Sequence, residues 1–365
     1  MSEWQTFCLK DLGKIVGGAT PPTNNPKNYG NKIAWITPKD LSTLQGCYIK
    51  KGSRSISRLG FKSCSTFLLP KHAILFSVRA PIGYVAIAKK RLCTNQGFKS
   101  IIPNKKIYFE FLYYLLKYHK DNISNIGGGT TFKEVSGATL GLFEVKIPPT
   151  YYEQQKIART LSILDQKIEN NHKINELLHT LAYKIYEYYF KYKPKNAKLE
   201  QIIIENPKSN IMVKNAQKTQ DKYPFFTSGD NILSYPKSII DGRNCFLNTG
   251  GNAGIKFYVG KASYSTDTWC ICANEFSDYL YLLLSSIKNH INQSFFQGTS
   301  LKHLQKNLLK KYPIYMPSAH EIKKFNQIMM PLLTLISINT RTSKKLEQIR
   351  DFLLPLLLKQ QVKPE

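Results

Sequence analysis

The chain has 365 residues, enough for two or three domains with cores of their own. Its 42% hydrophobic and 12% aromatic content argues against disorder, and no apolar run approaches the ~18–20 residues that span a bilayer. With 52 Lys and Arg against 24 Asp and Glu the net charge is +28, which points to an anionic partner of nucleic-acid type rather than a membrane.

Taken in chain order, residues 1–149 read as a mixed α/β domain with many short strands. The opening Met1-Ser-Glu-Trp-Gln5 lacks a signal-peptide pattern, so a cytoplasmic, prokaryotic location is expected. Apolar runs at 33–37, 73–78 and 84–88 are separated by Gly, Pro and Asn, as strands are. Tyr108 to Leu116 is more helical, Gly127 to Thr131 reads as a loop, and Val145-Lys-Ile-Pro-Pro149 closes the domain because proline continues neither ladder nor helix. Tyr29, Trp35 and Trp269 are read as core residues.

Residues 150–193 carry a heptad pattern. Positions 157, 161, 164, 168, 171, 175, 178, 182, 185 and 189 alternate steps of four and three, and apolar residues fill all but Asn171 and Asn175. Such a 3.5-residue period marks a coiled-coil seam, with a single buried helix of one large domain as the competing reading. Residues 194–317 repeat the plan of the first domain in shorter form, and 318–365 repeat the helix. At an offset of 168, Glu153 matches Glu321, Leu164 matches Leu332, Ile168 matches Ile336, Asn171 matches Asn339 and Leu178 matches Leu346. The helix-pairing residues expected from this are Ile157, Leu161, Leu164, Ile168, Asn171 and Leu178, with Phe325, Met329, Leu332, Ile336, Asn339 and Leu346. Asn171 and Asn339 are expected in one polar layer that sets register. Pro331 is expected to kink or delay the second helix. Trp35-Ile-Thr-Pro-Lys39 and Phe225-Phe-Thr-Ser-Gly229 lie 190 apart, so the first domain holds extra residues between about 40 and 70.

Charge is unevenly spread. Residues 1–152 carry 22 basic and 7 acidic side chains and residues 194–318 carry 15 and 8, against 7 and 5 in 153–193 and 8 and 4 in 319–365. An AT-rich genome supplies lysine without selection, but it does not favour the globular parts. The seven cysteines are odd in number and scattered, without paired zinc-ligand spacing, and reduced structural thiols are expected, with no metal site.

These features together resemble a known family. Pro148-Pro-Thr-Tyr-Tyr-Glu-Gln-Gln-Lys-Ile157, placed after a globular domain and before a long helix, is similar to the conserved region of type I restriction–modification specificity subunits. Leu12-Gly-Lys-Ile-Val-Gly-Gly-Ala-Thr-Pro21, Ile33-Ala-Trp-Ile-Thr-Pro-Lys-Asp-Leu41 and Gly128-Gly-Thr-Thr-Phe-Lys133 fit as well. The resemblance covers essentially the whole chain. The second copy departs from it, with Glu321-Ile-Lys-Lys324 for Glu153-Gln-Gln-Lys156, and with Asp230 and Asp267 where the first domain has Lys or Gln. The resemblance implies two target-recognition domains (1–149 and 194–317) joined by two conserved helices (150–193 and 318–365). The helices run antiparallel as a pseudo-two-fold repeat, and each domain reads half of a split target in double-stranded DNA. It also implies two methyltransferase (M) subunits docked on the helices, and restriction (R) subunits in the full complex. Helix length then sets the unread spacer between half-sites.

No catalytic or cofactor motif stands out. There is no Gly-x4-Gly-Lys-Ser/Thr loop, and Asn206-Pro207 is followed by Lys-Ser rather than by the aromatic pair that holds a flipped base. Asp165-x-Lys167 has nuclease-like spacing but reads as a solvated helix face. Gly127 to Gly129 reads either as a phosphate nest or as a flexible loop tip. The chain is therefore read as a non-catalytic recognition subunit without a cofactor. A self-contained restriction or methylation enzyme and a DNA-bridging coiled-coil protein stand as alternatives. DNA contacts are expected from Arg79, Gln96, Lys99, Thr130, Thr131 and Lys133 in the first domain. In the second they are expected from Asn248, Asn252, Thr266, Thr299, Ser300 and Lys302. Arg and Lys suit guanine and phosphate, and Gln and Asn suit adenine.

Overall fold

The structure is a computed structural model and describes residues 3–79, 81–128, 133–216 and 222–363. The chain divides into two compact units: Met1–Glu169 with Ile349–Glu365, and Asn170–Gln348. The division falls inside both long helices, Tyr151–Tyr186 and Ala319–Leu358, so each unit holds one globular part with a stretch of each helix. No helix among the described residues is long and apolar enough to cross a membrane.

In the first unit a five-stranded sheet runs in the order Gly13–Gly17, Lys99–Pro103, Ile74–Phe76, Val85–Ala88, Tyr48–Ile49. The strand Ile74–Phe76 has no exposed residue, as a continuous apolar run covered on both faces requires. A smaller sheet orders Arg54–Ile56, Tyr29–Ile36 and Cys93–Thr94, with Trp35 opposite Cys93 in a parallel pair. In the second unit the same two sheets recur. One orders Ile204–Glu205, Thr268–Cys272, Arg243–Asn248, Ile255–Val259; the other orders Leu233–Tyr235, Tyr223–Phe226, Ser263–Tyr264, again with a parallel pair, Phe225 opposite Ser263. The extra residues of the first unit fall in two places. Residues 37–53 add the helix Pro38–Ser42 and the fifth strand, and residues 57–73 add the helix Arg58–Lys62.

A two-stranded ribbon closes each globular part. Gln5 pairs with Ile147 and Ala197 with Ile314, so the chain returns to its starting edge immediately before each long helix begins. The helix starts are then capped alike. Thr150 accepts from the Glu153 backbone N–H at 3.2 Å while its hydroxyl donates to the Glu153 carboxylate. Ser318 accepts from the Glu321 N–H, and the Glu321 carboxylate accepts from the Ser318 N–H at 2.9 Å. Glu321 thereby completes a capping box, and Glu153 holds the equivalent place through the Thr150 hydroxyl. Its neighbour Gln154, 1% exposed, accepts from the Tyr108 N–H at 2.7 Å and donates to the carbonyls of Lys106 and Pro148. It thereby fastens the first helix to the domain that precedes it.

Within each unit the two long helices pair antiparallel. In the first unit Ile157, Ala158 and Leu161 share one core with Leu354, Leu357 and Leu358; each leucine there contributes about 1.5–3 kcal/mol by leaving water. Asp165, expected on a solvated face, is instead 7% exposed. It accepts from the Arg350 guanidinium at 2.7 Å and from the Tyr114 hydroxyl at 2.7 Å, because a partner 185 residues away reaches over it. In the second unit Asn171 donates to the Ser343 hydroxyl at 3.2 Å and Asn339 donates to Asn175 Oδ1 at 2.9 Å. The offset of 168 turns one pair into the other, so a local pseudo-dyad passes between residues 173 and 341. Asn171 and Asn339 thus occupy neighbouring rungs, the first bonded to Ser343 and the second to Asn175, which are themselves 168 apart. Every seam position expected from the heptads is buried or half-buried. A second row, Ala158, Ser162, Asp165, Leu333 and Ser337, is also buried, and this widens each stripe beyond a simple two-helix seam.

Pro331 does not interrupt the second helix, which runs unbroken from Ala319 to Leu358. The residue sits on the exposed side, where the carbonyl left without a donor can bond to water. All seven cysteines are free. Burial pushes the Cys47 thiol up to about 12 and the Cys93 thiol up to about 11, so both stay protonated and unreactive at neutral pH. Trp35 and Trp269 are each 3% exposed. Trp35 Nε1 donates to the Ala19 carbonyl and the Tyr29 hydroxyl to the Pro21 carbonyl, both at 3.0 Å, so Trp35 and the half-buried Tyr29 tie down the segment 18–22.

Candidate nucleic-acid interface

In each unit three loops meet at one backbone node. In the first, the Val78 N–H donates to the Gly97 carbonyl at 2.9 Å and the Val135 N–H donates to the Val78 carbonyl at 3.1 Å. In the second, the Thr249 N–H donates to the Asp267 carbonyl at 3.2 Å and the Leu304 N–H donates to the Thr249 carbonyl at 3.0 Å. The two sets are equivalent residue by residue at offsets of 169 to 171. The node follows from sheet order. Strands Ile74–Phe76 and Arg243–Asn248 lie inside their sheets, so the loops that leave them emerge beside the turns that feed the neighbouring strands.

This node gathers most of the residues expected to touch DNA. Arg79 directly follows Val78, Gln96 precedes Gly97, and Lys133 lies two residues before Val135. Arg79 donates to Glu134 at 3.0 Å, with the two side chains 41% and 37% exposed. An ion pair that open is worth about 0–1 kcal/mol, so a phosphate or guanine can compete for the guanidinium. Gln96 is exposed and accepts from the Thr20 hydroxyl. Lys99 is half-buried, with its amine beside Gly17 and its stem along Gly137. Lys133 is exposed. Thr130 and Thr131 lie outside the described residues.

In the second unit Asn252, Thr266, Thr299, Ser300 and Lys302 are all exposed. The Lys302 carbonyl accepts from the Gly251 N–H at 2.9 Å, which seats the glycine-rich loop against the loop 298–303. Gly251 has φ +78 and Gly298 φ +141, values that side-chain-bearing residues rarely adopt. Asn248 differs from the rest. It is 6% exposed, its amide donates to the Asn252 carbonyl at 3.1 Å, and its Oδ1 accepts from Lys256 at 3.2 Å. One of its amide N–H groups and its Oδ1 are thus engaged inside the loop, where the other expected residues of this unit are open to solvent.

Several residues that shape these loops carry no signal in the sequence. Lys256 donates to Asn248 and, at 2.9 Å, to the Thr227 carbonyl, and burial lowers the pKa of its amine. Ser228 donates to the Asp267 carbonyl and accepts from the Thr249 N–H, adding a fourth loop to the node. A Cβ on Gly18 would lie 2.2 Å from the Asn95 carbonyl oxygen and 2.3 Å from that of Thr94, so only glycine lets the segment 18–22 lie along the turn that carries Gln96. Among the described residues no three His, Cys, Asp or Glu side chains cluster as a metal ion would require.

The same loop node thus occurs twice, once in each unit, on sheets of matching strand order. The sequence profile of the type I restriction modification DNA specificity domain matches residues 1–180 and again 195–348, and the chain belongs to that family. It is similar to the type I restriction enzyme MjaIX specificity subunit of Methanocaldococcus jannaschii, 32% identical over 403 aligned residues spanning 98% of this chain and 93% of that protein. It is also similar to the type I restriction enzyme HindI specificity subunit of Haemophilus influenzae, 30% identical over 177 residues, 46% of this chain and 37% of that one. Its fold matches the crystal structure of a type I restriction–modification system S subunit from M. genitalium. The TM-score is 0.65 at 18% identity, with 97% and 96% of the two chains covered.

Proposed function

We propose that the chain recognises a bipartite, asymmetric sequence in double-stranded DNA and directs methyltransferase and restriction subunits to it. The duplicated loop node carries this reading. Two equivalent sets of exposed polar loop residues, on sheets of the same topology, suit two half-sites, and their unlike side chains suit two different sequences. Base reading is assigned to Arg79, Gln96, Asn252, Thr266, Thr299 and Ser300, and phosphate contact to Lys99, Lys133 and Lys302. The functional division follows 1–149 and 194–317 as target-recognition domains, with 150–193 and 318–365 as the conserved helices.

The helices are the surface for protein partners in this reading. Tyr152 and Phe352 in the first unit are 65% and 67% exposed, and Leu177 in the second is 71% exposed, apolar side chains within reach of a partner. A groove of about 740 Å³ in the first unit runs past Tyr108, Arg159 and Leu353. The subunit itself supplies binding, and its partners supply the chemistry in the cytoplasm.

The test is single-molecule mapping of modified bases in the host with and without this gene. Loss of one bipartite motif supports the reading; an unchanged set of motifs overturns it. Methylation or cleavage by the isolated chain would favour the self-contained enzyme, and DNA binding without any modified base would favour a bridging protein.

A further inference from the structure

The residue just before each node does the same job in both units. Ser77, wholly buried, donates its hydroxyl to the Pro81 carbonyl at 2.8 Å and accepts from the Tyr84 N–H at 2.8 Å. Asn248 donates to the Asn252 carbonyl at 3.1 Å. Donors and acceptors are both related by an offset of 171, so these are one clamp made with two side chains. Each closes the loop that carries the expected reading residues, 78–83 in one unit and 249–254 in the other.

The second clamp has a further connection. Asn248 carries its acceptor on a separate atom, Oδ1, where Ser77 has a single oxygen for both bonds, and Lys256 donates to that Oδ1 while also bonding the Thr227 carbonyl. The loop after Asn248 is thereby tied to the loop after Phe226. In the first unit the place of Lys256 is taken by Val85, opposite Phe76, and among the described residues no lysine bonds Ser77. Gly254 belongs to the same arrangement: a Cβ there would lie 2.3 Å from Asn248 Nδ2.

We propose that Ser77 and Asn248 are specificity-setting positioning residues, which fix how each reading loop meets its half-site without touching DNA themselves. Lys256 gives the second loop its own setting. This rests on the reading of the chain as a DNA-recognition subunit. Buried polar groups of this kind act through the geometry they impose, because a loop displaced by one hydrogen bond presents its side chains to different base edges.

The experiment replaces the gene in the host by Ser77→Ala, Asn248→Ser, Asn248→Leu or Lys256→Met and maps the modified bases. Ser77→Ala is expected to lower discrimination about tenfold at positions of one half-site only. Asn248→Leu and Lys256→Met are expected to do so in the other half-site only. Asn248→Ser keeps the clamp to Asn252 and is expected to disturb that half-site no more than Lys256→Met does. Thermal melting of each purified variant identifies any that do not fold; Ser77→Ala and Lys256→Met then carry the test. A uniform drop in modification with both half-sites unchanged overturns the proposal, as does relaxation of the same half-site by Ser77→Ala and Lys256→Met. Absence of any gene-dependent motif in the wild-type host instead overturns the DNA reading beneath it.

Discussion

Replacing Arg350 by leucine tests how the first unit is held together. Arg350 and Asp165 are 14% and 8% exposed at their side chains, and Asp165 keeps one other donor, the Tyr114 hydroxyl. Removing one partner of a pair this buried leaves an uncompensated carboxylate and costs about 3–5 kcal/mol. At roughly 2–4 °C per kcal/mol for a unit of this size, the melting temperature should fall by at least about 6 °C. The positions 168 apart in the second unit hold Ala182 and Leu333, both buried and apolar, so the fold accepts hydrocarbon at this place. The double variant Asp165→Leu/Arg350→Leu should therefore recover most of the loss. What remains is the buried Tyr114 hydroxyl without an acceptor, about 1–3 kcal/mol, and adding Tyr114→Phe should remove it. Urea unfolding of the four proteins measures the series. If Arg350→Leu costs under 1 kcal/mol, or if the double variant is worse than the single, the ion pair does not hold the unit as argued.

Other expectations follow from single contacts. Asn175→Leu strands the Asn339 amide and should cost about 1–3 kcal/mol in urea unfolding, while Asn175→Leu/Asn339→Leu should regain stability. Gly18→Ala forces a methyl group onto two carbonyl oxygens and should destabilise by about 3 kcal/mol or more; a thermal shift within 1 °C would refute the contact. Gln154→Leu unpairs three backbone groups and should cost at least about 2 kcal/mol, whereas the exposed Gln155→Leu should stay within about 0.5 kcal/mol in the same assay. The Ser318 backbone N–H, the Tyr315 hydroxyl and Lys193 hold the Glu321 carboxyl down to about 2. Its contribution is complete above the ordinary carboxylate pKa near 4.5 and is lost as pH falls from there through about 2. Glu321→Gln should flatten stability against pH in that window and leave the profile above pH 5 unchanged in slope.

The sequence made the repeat, the heptads and the strand runs legible because each is a local pattern. The node residues could also be placed near strand ends, since the second domain repeats the plan of the first. What could not be read is set by long-range register. Asp165 has the spacing of a surface carboxylate until Arg350, far along the chain, covers it. Asn248 looks like a base reader because nothing local shows that Lys256 and Asn252 engage its amide. Pro331 looks like a break because a proline's cost depends on which face of the helix it occupies. Ser77 has no local mark at all, and its role emerges only when its hydrogen bond is laid over that of Asn248.

The core shared by Ile157, Leu161, Leu354, Leu357 and Leu358 has a consequence for biosynthesis. The ribosome delivers residues 1–169 first, yet their hydrophobic face and the Asp165 carboxylate stay open until Ile349–Leu358 appears, after all of the second unit. The part of the molecule made earliest is thus the last to be finished. A chain interrupted anywhere before residue 349 leaves Ile157, Ala158 and Leu161 uncovered, an apolar face that proteases and chaperones can read.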